Sequence, residues 1–195
     1  MPGVNAHFKM EPEVRKRLRE QGYPKNKQPK KAAVMSLFYP KEDETYLLLI
    51  LRKSYPGVHS NQIGFPGGKE EQEDRDALST AIRETYEEVG VPTQSIEMVK
   101  QLTEVYIPPS NFLVQPFIGL YRKPVPFVMD PVEVEALVEV PLVDFLDDSN
   151  LIHQTLSTSY AHEILVPAFK LNGYTVWGAT AMMLSEIKDL LKQVL

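Results

Sequence analysis

A glycine pair followed by an acidic helix constrains this chain of 195 residues more than any other feature. A helical pattern runs from about Asp76 to Val89, and a glycine and a nearby proline then stop it. Upstream, the stretch "FPGGK" contains two consecutive glycines, which permit backbone conformations and close approaches that a Cβ would block. The sequence therefore predicts a glycine turn that comes close to one face of this helix.

Three glutamates lie on one side of the predicted helix. At 100° per residue, Glu87 and Glu88 fall about 60° to one side and 40° to the other of Glu84, so the three carboxylates share a face. Like charges at this spacing are mildly unfavourable in an isolated helix unless something positive lies over them. A divalent cation would supply that charge. Arg83, four residues before Glu87, is expected to pair with it and hold its rotamer.

The rest of the chain has the pattern of several strands and few helices. Strands are predicted for "AAVMSLFY", "TYLLLILRK", "QIGF", "EMVKQLTEVYI" and "FLVQPFIGLYR", and around an Asn172-Gly173 turn, while "EVEALVEVPL" is extended or mixed. Further helices are expected from Glu11 to Glu20 and in the last segment, "ATAMMLSEIKDLLKQVL". Because regular βαβ alternation is missing, we expect an α+β fold with a mixed sheet.

Composition bounds the class of protein and its partners. The net charge of -5, from 21 basic and 26 acidic residues, argues against broad binding to nucleic acid or to an anionic membrane. The absence of cysteine excludes disulfides and thiolate metal sites, and the four histidines lack close metal-ligand spacing, so zinc is not expected. With no apolar run of about 18 residues, we expect a cytoplasmic protein.

Length and local composition predict one globular domain with an N-terminal extension. The lysine-rich stretch from Lys25 to Lys31 is hydrophilic and contains a proline, as is typical of a solvated linker. We therefore expect an N-terminal helix and linker over residues 1–31, and a single domain over residues 32–195.

The acidic helix and its glycine turn resemble the box of the Nudix hydrolase family, G-x5-E-x7-R-E-U-x-E-E-x-G-U, in which U is aliphatic. The residues that match are Arg83, Glu84, Glu87, Glu88, Gly90 and Val91, with Thr85 at the first aliphatic position. Counting from Gly68, Asp74 occupies the first acidic position and Arg83 comes one residue late. The box thus carries a one-residue insertion and a Glu-to-Asp change.

That insertion and the "FPGG" stretch are typical of the Nudix branch that resembles coenzyme A diphosphatases. Counterparts of this branch extend over roughly Ala32 to Leu191, in "LRKS", "HSNQIGFPGG", "PPSNFLVQPFIG", "EVEALVEVPL" and "YTVWGATAMMLSEI". One departure concerns the substrate: the branch has an arginine and a glycine ahead of FPGG, where this chain aligns Gly57 and Asn61 with one residue deleted.

The resemblance implies a Nudix fold, with a mixed sheet sandwiched between helices (α/β/α), and hydrolysis that depends on Mg²⁺ or Mn²⁺. The implied metal ligands are the Gly68 carbonyl, Glu84, Glu87 and Glu88. The implied catalytic residues are Arg83, Glu87 as ligand or base, and Glu133, which is an extra ligand, a base or an exposed loop acid. By the resemblance, His59 and Gln62 are retained as substrate-binding residues, although a lone loop histidine such as His59 fits a surface position equally well. Arg52 is a candidate for binding substrate phosphates and equally fits the charged end of an edge strand, and Asn111 is a candidate for the pocket lining.

Three functions follow from this resemblance. The first is cleavage of coenzyme A to phosphopantetheine and adenosine 3′,5′-bisphosphate, and the second is the same chemistry on ADP-ribose, NADH or another nucleoside diphosphate derivative. The third is a Nudix-fold binding module without catalysis, against which the intact set of three glutamates argues. In each case the partner is a small nucleotide molecule, and a homodimer is left open.

Overall fold

The computed structural model describes residues 2–22, 28–54, 61–157 and 163–195. Its helices and strands, in chain order, are α1 (Pro2–Lys9), α2 (Glu13–Gln21), β1 (Lys30–Lys41), β2 (Glu44–Arg52), β3 (Ile63–Gly64), β4 (Gly67–Lys69), α3 (Ala77–Val89), β5 (Glu97–Gln101), β6 (Val105–Ile107), β7 (Phe112–Leu120), β8 (Val134–Pro141), α4 (Leu142–Leu146), β9 (Leu151–Leu156), β10 (Ile164–Leu171), β11 (Tyr174–Trp177) and α5 (Gly178–Leu191). No helix in these ranges is both long and apolar enough to cross a membrane. The chain divides into two compact units, Pro29–Leu142 and Met1–Gln28 with Val143–Leu195.

The unit Pro29–Leu142 is built on a mixed sheet of eight strands. Its main order is β3-β2-β1-β7-β5, and β4, β6 and β8 pair with β1, β7 and β2 respectively. Strands β1 and β7 run parallel, from Lys30 opposite Phe112 to Phe38 opposite Leu120, whereas β1 is antiparallel to β2 and to β4. The predicted α+β class with a mixed sheet is therefore confirmed.

Helix α3 lies on this sheet because its apolar side matches one face of β1. Alternate β1 residues point to that face and are buried, and they share a core with Ala81 and Val89 of α3. The helix begins where the Asp76 carboxylate accepts the Ser79 backbone N–H at 2.8 Å while the Ser79 hydroxyl accepts the Asp76 N–H at 3.0 Å. The predicted bounds of this helix are thus confirmed.

The segment predicted as one strand, "EMVKQLTEVYI", forms two strands, so this prediction was wrong. Strand β7, which pairs with both β5 and β6, contains Pro116, and a proline has no N–H to donate to a neighbouring strand. The Gln115 side chain instead donates to the Leu102 carbonyl at 2.8 Å, between β5 and β6. The interrupted hydrogen bonding along β7 explains why the predicted strand is divided into β5 and β6.

The other unit combines a three-stranded antiparallel sheet, β11-β10-β9, with helices α1, α2 and α5. The predicted turn joins β10 to β11 at Asn172 and Gly173, both with positive φ. Helix α1 contacts α5, where His7 Nε2 lies 2.9 Å from Glu186 Oε2 and both side chains are buried. The sequence did not predict α1, since "PGVNAHFK" contains a glycine and an asparagine and too few residues for a clear period.

Candidate active site

Two glycines bring β4 against both β1 and α3. Gly67 has φ +148°, and a Cβ there would overlap the Ala33 carbonyl and the Val34 backbone. A Cβ at Gly68 would overlap the carboxylate of Glu84. Neither position therefore accommodates a side chain without movement. The predicted close approach of the glycine turn to the acidic face of the helix is confirmed.

Glu88 lies beneath this turn with its side chain 2% exposed. Its Oε2 accepts the Gly67 N–H at 2.7 Å, and its Oε1 lies 3.3 Å from Arg52 Nη2. Within the described ranges Oε1 has no hydrogen-bond partner. Burial raises the pKa of Glu88 to about 7, with the charge of Arg52 and the Gly67 N–H opposing the rise. The chain therefore buries a carboxylate and leaves one of its oxygens unsatisfied.

The guanidinium of Arg83 donates to three carboxylates of this site and holds them in place. Its Nε and Nη2 donate to the two oxygens of Asp74 at 3.0 and 2.9 Å. Its Nη1 donates to Glu84 Oε1 at 3.0 Å and to Glu87 Oε2 at 2.9 Å, and Nη2 also reaches the Lys69 carbonyl at 3.1 Å. The predicted pair with Glu87 is confirmed. The same guanidinium also fixes Glu84 and the end of the glycine turn.

Asp74, at the altered box position, serves to orient Arg83. Its side chain is 4% exposed, and besides both Arg83 bonds it accepts the Thr80 hydroxyl at 2.9 Å and the Glu71 N–H at 3.0 Å. These bonds, led by that to Arg83, hold the pKa of Asp74 well below its usual range. Sequence reasoning located Asp74 but missed this function and the contributions of Thr80 and the Lys69 carbonyl, because they depend on how the loop folds back over α3.

Glu84 and Glu133 add negative charge beside Glu88. Burial raises the pKa of Glu84, the Arg83 charge opposes this, and the charges of Glu87 and Glu133 raise it further. Glu133 also raises the pKa of Glu88 by its charge. The charge of Glu133 therefore acts on both helix acids although this residue precedes a different strand.

Strand pairing explains how Arg52, at the end of β2, and Glu133, just before β8, reach the same end of these two strands. Arg52, the last residue of β2, pairs with Val134, the first residue of β8, after a bulge between Leu51 and Arg52. The Lys53 N–H then donates to the Glu133 carbonyl at 2.9 Å. Bulges commonly redirect a side chain at a sheet edge. The pairs Leu51–Ala136 and Arg52–Val134 leave Glu135 as the extra residue, so the bulge lies on β8, opposite the arginine that contacts Glu88.

The donor set fits a hard divalent cation. It consists of carboxylate and carbonyl oxygens, which Mg²⁺ and Mn²⁺ prefer, and it includes the unsatisfied Oε1 of Glu88. In the described part of the chain, however, no three acidic or histidine side chains already converge as a metal cluster. The physical reason is that Arg83 holds Glu84 and Glu87, while Arg52 lies against Glu88. The metal site therefore stays a prediction, and binding requires these side chains to exchange partners.

The remaining predicted residues are placed as follows. The Gln62 carbonyl accepts the Arg52 N–H at 3.0 Å, so Gln62 adjoins the site through the β2–β3 pairing. Asn111 lies in the turn before β7, where its side-chain oxygen accepts the Tyr106 hydroxyl at 3.0 Å. This turn pairs with the start of β1, on the order of 10 Å along the strand from Gly68. His59 and Gly57 lie outside the described residues.

A cavity of about 550 Å³ opens near the start of α3. Lys31, Arg75, Met98 and Phe117 are among the residues that line it. None of the predicted site residues that the structure describes belongs to this lining. The acids of the site therefore lie outside this cavity, and we do not assign it to the substrate.

Comparisons with known proteins identify the family of this chain. Residues 29–156 match the family model described as the NUDIX domain. Nudix hydrolase 15, mitochondrial, of Arabidopsis thaliana is 32% identical over 163 residues, which cover 80% of this chain and 56% of that protein. The uncharacterized Nudix hydrolase NudL of Yersinia pestis is 31% identical over 160 residues, covering 77% of this chain and 73% of that protein. The chain thus spans only about half the length of its Arabidopsis relative.

A solved structure shares the fold. The C. elegans Ap4A hydrolase in a binary complex superposes with a TM-score of 0.56 at 15% identity, over 84% of this chain and 98% of that one. At this identity the likeness concerns the arrangement of strands and helices alone.

Proposed function

Because this chain belongs to the Nudix family, we propose that it is a hydrolase that cleaves the phosphoanhydride bond of a nucleoside diphosphate derivative with Mg²⁺ or Mn²⁺. The observation that carries the proposal is the carboxylate of Glu88, which is buried against the glycine turn with one oxygen unsatisfied. A buried carboxylate without full compensation is costly, and a cation bound there would relieve the cost.

We assign the Gly68 carbonyl, Glu84 and Glu88 as the groups that hold the cation. When bound, Mg²⁺ or Mn²⁺ would neutralise negative charge on the diphosphate and activate water as the nucleophile. Glu87, whose side chain is 51% exposed and bonded to Arg83, is a further ligand or the general base. Glu133 is the second candidate for either function. Both are accessible to an incoming water because both residues are exposed.

We assign Arg52 to binding the substrate phosphates. Its guanidinium already lies at the glycine turn, where it donates to the Gly67 carbonyl and contacts Glu88. A guanidinium offers several donors in a fixed plane, so the same group can bind a phosphate oxygen. Gln62 adjoins Arg52, and His59 and Asn111 are retained as substrate-binding predictions from the sequence.

For the substrate, we propose coenzyme A or its derivatives, cleaved to phosphopantetheine and adenosine 3′,5′-bisphosphate. The support is the likeness of "FPGG", the box insertion and the flanking stretches to the coenzyme A branch. The departure at residues 57–61 favours a second candidate, the same cleavage of ADP-ribose, NADH or another nucleoside diphosphate derivative. The cytoplasmic location and a homodimer remain predictions from the sequence.

A substrate panel tests the proposal. The protein is incubated with Mg²⁺ and, separately, with coenzyme A, ADP-ribose and NADH, and the products are separated by chromatography. We expect cleavage of coenzyme A to the two named products, and loss of that activity in Glu88→Gln. Cleavage of ADP-ribose or NADH alone would replace the substrate assignment. If no diphosphate is cleaved while nucleotides still bind, the chain is a binding module and the proposal is wrong.

A further inference from the structure

The connection between β7 and β8, residues 121–133, closes over the C-terminal end of α3. The Val128 N–H donates to the Val89 carbonyl at 3.0 Å, and the Asp130 N–H donates to the Glu88 carbonyl at 3.0 Å. The last carbonyls of a helix lack partners within the helix itself. The connection supplies two of these partners, and one of them is bonded to the backbone of Glu88.

Asp130 makes two further bonds that fold the chain back toward the sheet. Its Oδ1 accepts the Val132 N–H at 2.7 Å, and its carbonyl accepts the Val134 N–H at 3.0 Å. A side chain that accepts the N–H two residues ahead forms an Asx turn, which fixes the local backbone. Asp130 therefore links the end of α3 to the first residue of β8.

Backbone hydrogen bonds at Glu133 and at the next residue hold Glu133 in place. Its carbonyl accepts the Lys53 N–H at 2.9 Å, and the next residue, Val134, is bonded to Asp130. The position of the Glu133 carboxylate relative to Glu84 and Glu88 thus depends on the turn that Asp130 begins. Removing the Oδ1 acceptor would free the Val132 N–H and loosen this stretch, whereas the bond from the Asp130 N–H to the Glu88 carbonyl does not use the side chain.

Resting on the proposed function, we propose that Asp130 is a positioning residue for the hydrolysis: its turn holds Glu133 toward Glu84 and Glu88 as a further ligand of the cation, and Asp130 acts on the reaction only through Glu133. Asp130 itself needs no contact with the substrate or the cation. The competing explanation is that Asp130 only stabilises the end of α3, in which case its effect would be independent of Glu133.

A double-mutant cycle separates these explanations. The variants are Asp130→Ala, Glu133→Gln and their combination, and Asp130→Asn retains an Oδ1 that accepts the same N–H. The readouts are kcat and KM with the substrate found in the panel, Mn²⁺ affinity of the protein alone by electron paramagnetic resonance, and melting temperature. Asp147→Ala is the matched control, because Asp147 accepts the Ser149 N–H at 2.8 Å in an equivalent turn of the other unit.

We expect Asp130→Ala to lower kcat roughly 10-fold or more, with a smaller change in KM, and to weaken Mn²⁺ binding. Asp130→Asn should restore most of the loss. In the Glu133→Gln background, Asp130→Ala should lower kcat by less than 2-fold more. Asp147→Ala should lower the melting temperature without changing kcat.

An equal loss of kcat on both backgrounds, or no rescue by asparagine, would overturn the proposal while the proposed function stands. If the wild-type protein cleaves nothing, the Mn²⁺ affinities decide, and equal affinities for wild type and Asp130→Ala overturn it. If the wild type neither cleaves a diphosphate nor binds Mn²⁺, the proposed function is wrong and this inference is wrong with it.

Discussion

The burial of Glu88 predicts that the metal-free protein loses stability as the pH rises through neutrality. The carboxyl group has a pKa of about 7 in the fold, whereas its ordinary value is 4.5. The folded state therefore binds the proton more tightly than the unfolded state. The stabilising contribution is fully present below pH 4.5 and is lost as the pH rises to about 7.

The magnitude follows from the same pKa values. Because a tenfold change in proton affinity is worth about 1.4 kcal/mol, the rise in the pKa of Glu88 corresponds to a loss of about 3 kcal/mol across this interval. For a protein of this size, that loss lowers the melting temperature by roughly 10 °C. Glu84, whose pKa burial also raises, contributes in the same direction in every variant that retains it.

The test compares wild type with Glu88→Gln, both in the presence of a chelator, at pH 5 and pH 8. Glutamine keeps the acceptor for the Gly67 N–H and removes the titration. Unfolding should be followed by far-ultraviolet circular dichroism, because the single tryptophan, Trp177, belongs to the other unit. We expect similar stability at pH 5 and a more stable Glu88→Gln at pH 8. Added Mg²⁺ should stabilise wild type and not the variant.

If wild type and Glu88→Gln lose the same stability between pH 5 and pH 8, Glu88 does not carry a buried charge in the folded protein. The burial of Glu88 would then give no driving force for cation binding.

Two further predictions concern the residues around Glu88. Arg83→Lys should lower kcat at least 10-fold, because one ammonium cannot replace the bonds to Asp74, Glu84 and Glu87. The control Arg122→Lys alters an exposed pair with Glu97 and should leave kcat unchanged. Steady-state kinetics measures both variants, and equal effects would show that Arg83 does not hold the acids of the site. Gly68→Ala should abolish activity and weaken Mn²⁺ binding, since its Cβ would overlap the Glu84 carboxylate, and retention of both would show that the turn does not need to approach α3 so closely.

Local signals explain what the sequence could predict. Helix α3 has an amphipathic period, an N-cap at Asp76 and a stop at Gly90, all of which are encoded within a few residues. The shared face of Glu84, Glu87 and Glu88 follows from helical geometry alone. The close approach of the glycine turn needed only the absence of a Cβ at two positions.

Non-local contacts explain what the sequence could not predict. The contact of Arg52 with Glu88 depends on a strand bulge and on pairing between β2 and β8, which no local pattern encodes. The bonds that Arg83 donates to Asp74 join the helix to the loop before it. The sequence does not distinguish Asp130, because an Asx turn in a loop has a common composition and its bond to the Glu88 carbonyl joins distant parts of the chain.

The proposed hydrolysis requires that Glu84, Glu88 and the Gly68 carbonyl bind a divalent cation. The most direct measurement is an anomalous difference map from a crystal of the protein grown with Mn²⁺. We predict a single strong peak with an oxygen of Glu84 and an oxygen of Glu88 both within coordination distance, at about 2.0–2.3 Å. A map in which Mn²⁺ lies elsewhere, while Glu88 keeps its bond to Gly67 and its contact with Arg52, would contradict the claim.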